Sequence, residues 1–123
     1  MTEKEVQEIY ARLLELTKAG TIQWKKTGDS EFTASFARSS ITIEQDYEYD
    51  FDDLDGPPKV LRIYNDDGIL VAYASTHELG AEGGVKEFTL DPSELFNLVQ
   101  EKVYKYSETT EDILNELRKL KAS

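Results

Sequence analysis

At Thr21 the spacing of apolar residues changes, and that change limits the folds open to this chain more than any other feature. Before it, Val6, Ile9, Tyr10, Leu13 and Leu14 recur at helical spacing, which places them on one stripe of a helix. After it, Ile22 and Trp24, then Phe32, Ala34 and Phe36, then Ile41 and Ile43 alternate with polar residues, the period of a half-buried strand. Thr2 and Glu5 have capping-box spacing and Gly20 is a stop signal, so the first helix is bounded at both ends.

The strand period continues well beyond this point. Turns are signalled at Thr27-Gly28-Asp29 and at Arg38-Ser39-Ser40, and Gly56-Pro57-Pro58 blocks continuation of the third strand, because proline lacks the ladder donor. Val60 to Tyr64 and Ile69 to Ala74 flank Asn65-Asp66-Asp67-Gly68, a tight-turn sequence. Residues 77–86 hold three glycines and read as a loop, with a short extended stretch allowed at Glu87-Phe88-Thr89. Asp91-Pro92-Ser93-Glu94 then opens a helix with a buried side of Leu95, Phe96, Leu98, Val99 and Val103. A second start at Thr109 or Thr110 opens a short helix carrying Ile113, Leu114, Leu117 and Leu120. The expected fold is a single α+β domain over residues 1–123: an N-terminal helix, an antiparallel five-stranded meander, and two C-terminal helices packed on one sheet face.

Residues 44–55 alternate acids with aromatics and contain seven carboxylates and no cation. In an extended chain Tyr47, Tyr49 and Phe51 share one face, while Asp46, Glu48, Asp50 and Asp52 share the other, about 6.8 Å apart. Of the net charge of −11, this stretch supplies −7 and the remainder −4. Such a row needs solvation, cross-strand cations, a bound cation or a basic partner to offset its self-repulsion. Asp46, Glu48, Asp50, Asp52, Asp53 and Asp55 are therefore the candidate binding residues.

Other chemistries fit poorly. An EF-hand with Gly56 at its turn position would put Phe51 where the first aspartate belongs, and with Gly68 there, Ile63. A bend before Pro57 could still gather Asp52, Asp53 and Asp55 around a cation. His77, the only histidine, has Ser75 and Glu78 nearby, but a triad needs a nucleophile on a fixed turn and an oriented base. Gly80-Ala-Glu-Gly-Gly84 lacks the lysine and hydroxyl residue of a phosphate loop. Trp24-Lys25-Lys26 reads as a core tryptophan beside lysines that balance acids. No catalytic residue, metal ligand set or cofactor is expected.

The charge disfavours nucleic acid and anionic membranes as direct partners. No apolar stretch approaches the roughly 20 residues of a membrane span and the first residues lack a signal pattern, so a soluble protein is expected. Absence of cysteine fits a reducing, cytoplasmic compartment.

Leu13 to Trp24, the strand pair around Leu61 to Leu70, and Leu95-Phe-Asn-Leu-Val99 resemble small uncharacterised bacterial proteins of accessory or mobile-element type. These have a leading helix, a Trp-bearing strand, a meander and a closing helical segment, and the resemblance implies no active site. A looser similarity is to the acidic chaperones of type III secretion, which bind extended segments of other proteins but place a helix between their strands. The function expected is non-enzymatic binding of another macromolecule, a protein with a basic surface, through the acidic strand and adjoining loops. The alternatives are an acidic mimic of nucleic acid that inhibits a basic DNA- or RNA-binding protein, and a secretion-type chaperone.

Overall fold

The computed structural model describes residues 1–46, 57–77 and 83–122. Its elements run α1 (Glu3–Lys18), β1 (Lys25–Gly28), β2 (Glu31–Ser35), β3 (Ser40–Gln45), β4 (Lys59–Tyr64), β5 (Leu70–Ser75), β6 (Lys86–Thr89), α2 (Ser93–Tyr104) and α3 (Tyr106–Ala122). The architecture is α+β, with one mixed sheet of six strands in the order β1-β2-β3-β4-β5-β6.

The first helix has the ends its sequence calls for. Thr2 Oγ1 accepts the Glu5 N–H at 3.2 Å, and the Thr2 N–H donates to Glu5 Oε1 at 2.8 Å. That backbone bond, with the Thr2 side chain second, holds the Glu5 carboxyl below its usual pKa. At the other end Thr21 N–H donates to Leu16 O at 2.9 Å and Gly20 N–H to Thr17 O at 3.1 Å, with Gly20 at φ +76°. This is a Schellman closure, which requires a left-handed residue at Gly20. A Cβ added there meets nothing within 4 Å, so Gly20→Ala tests backbone strain alone. It is expected to lower stability by about 1–2 kcal/mol in chemical denaturation; an unchanged midpoint would rule out this account of the stop.

Two corrections concern the sheet. Five strands become six, and the sheet is mixed, because β6 adds to β5 in parallel, pairing Ala72 to Ser75 with Lys86 to Thr89. A parallel neighbour cannot follow through a tight hairpin, and ten residues separate β5 from β6. The first strand also begins later than the alternation suggests, at Lys25. Ile22 and Trp24 precede it and pack on the core from the connection. Phe36, expected at the end of the second strand, lies beyond β2, where its N–H donates to Ser39 O at 2.8 Å in the turn.

Register explains the core. Phe32, Ile43, Leu61, Ala74 and Phe88 stand side by side across β2 to β6, and Ala34, Ile41, Ile63 and Ala72 form the next row. Both rows meet Val6 and Leu13 of α1 and Leu95, Phe96 and Val99 of α2. Tyr10 ties the two helices together: its hydroxyl accepts the Leu95 N–H at 3.3 Å, satisfying one of the free donors in the first turn of α2. Burial raises the pKa of that phenol, partly opposed by the Leu95 bond. Asp91 Oδ1 accepts from the Ser93 N–H at 3.0 Å and from the Ser93 hydroxyl at 2.5 Å.

The third correction concerns the closing helices. They form one bent helix, joined through Lys105 in the left-handed region at φ 55°, ψ 46°. Ser107 N–H donates to Glu101 Oε1 at 3.0 Å across the bend, and the Ser107 side chain and N–H together hold the Glu101 carboxyl below its ordinary range. α3 starts at Tyr106 rather than Thr109 or Thr110 and is longer than expected. Of the pair only α2 covers the sheet: every described side chain from Tyr104 to Lys121 is exposed.

Candidate functional site

An apolar groove of about 510 Å³ lies between α1 and the turns at one end of the sheet. α1 supplies Ile9, Leu13 and Leu16, the sheet supplies Ile41, Ile63 and Val71, and Met1, Ile22 and Phe36 extend it at the surface. The groove exists because the chain is forced outward at two places. The Schellman closure at Gly20 leaves Leu16 at the helix end, 38 % exposed, and the turn after Ser35 carries Phe36 off the sheet, 42 % exposed. Arg12 and Arg38 also line it. Arg12 is paired with Glu8 at 3.2 Å, and Arg38 makes no ion pair among the described residues. The site therefore combines apolar walls with guanidinium groups. It can take an apolar side-chain cluster bordered by carboxylates.

Of the residues singled out in the sequence only Asp46 is described, and it is not part of the groove's lining. Asp46 follows β3 directly, and its N–H donates to Pro58 O at 2.9 Å, closing the two strands on either side of the acidic stretch. Glu48, Asp50, Asp52, Asp53 and Asp55 lie outside the described residues. The rest of the polar side of the sheet carries Arg62 ion-paired with Glu44, and Tyr73 whose hydroxyl donates to Glu87. Arg62 is the cross-strand cation that offsets the first of the seven acids. Thr42 Oγ1 is buried there with no hydrogen-bond partner among the described residues.

A smaller recess of about 100 Å³ is lined by Tyr73, Ser75, His77, Glu87, Phe88 and Thr89. Its serine does not face the histidine as a nucleophile would. Ser75 Oγ donates to Lys59 O at 3.1 Å, while His77 Nδ1 lies 2.9 Å from Thr76 Oγ1. No group of three or more His, Cys, Asp or Glu gathers among the described residues, and none of their helices is long and apolar enough to cross a membrane.

The groove is not legible in the sequence because its walls come from segments as far apart as Ile9 and Val71, and most of their apolar residues read individually as core. One signal was available: Phe36 stands at the very end of its alternating run, next to Ala37-Arg38-Ser39-Ser40, where a strand has no more ladder to hold it. Comparison with protein-family models, curated proteins and solved structures finds no match to this chain.

Proposed function

We propose that this chain is a non-enzymatic protein-binding domain whose groove receives an apolar, acid-flanked segment of a partner. The observation that carries this reading is the groove itself: partly exposed Leu16 and Phe36 over a floor of Ile9, Leu13, Ile41 and Ile63, beside Arg12 and Arg38. Apolar walls provide the affinity, and the guanidinium groups select carboxylates at the ends of the segment. The acidic stretch supports a second contact on the same partner. Asp46, Glu48, Asp50, Asp52, Asp53 and Asp55 favour a basic surface there, and the −11 net charge speeds encounter with it.

Selection of a displayed peptide library on the immobilised chain tests the reading. Enriched peptides should combine two or more large apolar residues with neighbouring Asp or Glu. Leu16→Asp and Phe36→Asp, both at exposed positions, should weaken those peptides about 30-fold or more, the scale of losing a hot-spot contact. Arg38→Ala should weaken them less and flatten their salt dependence. Peptides that bind the Asp variants as well as the parent would remove the groove from consideration.

A further inference from the structure

We infer that the closing helix is a two-state hinge, independent of the groove: the bend at Lys105 opens to a straight helix running unbroken from Ser93 to Ala122, about 45 Å long. The phase of the apolar residues supports this. Leu95, Val99 and Val103 of α2 and Tyr106, Ile113 and Leu117 of α3 fall within about 80° of one another when wound as one continuous helix. The row that α2 lays on the core therefore continues through the bend into α3 without a change of phase. Composition does not demand the bend either. No glycine or proline lies between Ser93 and Ala122, and these are the usual causes of a sharp kink. Lys105 sits at φ 55°, ψ 46°, a left-handed conformation that costs a residue with a Cβ what glycine avoids.

Two local contacts offset that cost in the bent state. The Ser107 N–H, which would bond the Val103 carbonyl in a straight helix, donates instead to Glu101 Oε1 at 3.0 Å. Tyr104 and Tyr106 stack with ring centroids 5.4 Å apart and planes 20° from parallel, an arrangement that residues two apart do not reach on a straight helix. Every described side chain of α3 is exposed, so straightening uncovers no part of the core. Bent and straight states thus differ by one backbone conformation, one cap and one ring stack, effects of similar size. Straightening brings the apolar row of α3 into line with that of α2.

The absence of native cysteine allows a spin label to be placed on each side of the bend, through Asn97→Cys and Asn115→Cys at exposed positions. In a straight helix these positions lie five full turns apart on one side, about 27 Å; the bend gives a different separation. Dipolar distance measurement on the full chain should show both. Lys105→Gly relieves the left-handed cost and weakens a helix interior, so it should raise the ratio of bent to straight about tenfold or more. Glu101→Ala removes the cap and should lower that ratio about fivefold. Helical circular dichroism should stay at the parent level in both variants, which separates movement of the hinge from melting of α3. A single separation that both variants leave in place would overturn the proposal, and so would a broad spread of distances accompanied by loss of helical signal.

Discussion

Phe32→Ala lowers the stability of the fold by about 3–5 kcal/mol, the range for emptying a buried phenylalanine site. Phe32 has no exposed surface and stands at one end of the apolar row that crosses β2 to β6. Its ring meets Phe96 of α2 edge-on at 6.0 Å and Tyr104 at 5.8 Å. Truncation therefore removes the transfer free energy of the ring and two aromatic contacts together, and opens a void between a strand and the helix that covers it. Small domains carry about 5–15 kcal/mol in total, so the loss is a large share, and Tm should fall by roughly 10–20 °C. Phe32→Leu keeps most of the volume and should cost less than half as much. Equal melts for Phe32→Ala and the parent in circular dichroism would show that this row is not the centre of the core.

Thr17→Val comes second in size, with an expected loss of about 1–3 kcal/mol from a change that preserves shape. Thr17 lies on the buried side of α1, and its Oγ1 accepts the indole N–H of Trp24 at 3.0 Å. Valine fills the same space but leaves that donor buried without an acceptor. Trp24→Phe removes the donor instead, and the double variant should be less destabilised than the two single losses combined. Trp24 is the chain's only tryptophan, so its emission follows this contact in the parent and Thr17→Val, and circular dichroism in denaturant compares all four chains of the cycle. Additive losses would mean the bond contributes nothing of its own.

The pair Thr17–Trp24 also shows how far sequence can be read. Trp24 was legible as a core residue because it sits in an apolar alternation, yet the alternation misplaced β1, which starts at Lys25, beyond both Ile22 and Trp24. Alternation records which side chains are buried, and a connection between helix and sheet buries side chains just as a strand does. Local chemistry was read more faithfully: the Thr2–Glu5 box, the stop at Gly20 and the turn at Asn65 to Gly68 all depend on neighbours in sequence, and the helix expected to open at Asp91-Pro92 starts at Ser93, with Pro92 rather than Asp91 at its cap. Asn65 illustrates why, since its Oδ1 accepts from Asp67 N–H at 2.9 Å and Ile69 N–H at 3.0 Å. What was not legible was non-local. Nothing in Lys86-Glu-Phe-Thr89 states that its neighbour runs parallel, and nothing in Ile113, Leu114 and Leu117 states that they stay exposed. For the candidate site less is legible, because carboxylates show in composition while the groove is made by position.

Each strand is hydrogen-bonded only to strands adjacent to it in sequence, so the sheet can be added to one strand at a time as the chain leaves the ribosome, and such local pairing favours fast folding. The helices follow a different schedule. α1 is made first, but Leu95, the partner of its Tyr10, is 85 residues away. Until α2 emerges, Phe32, Ile43 and Leu61 have α1 alone to shield them. Synthesis thus passes through a stage with a nearly complete sheet and half its cover, and a nascent chain stalled before residue 93 would be the species most exposed to aggregation and to capture by chaperones.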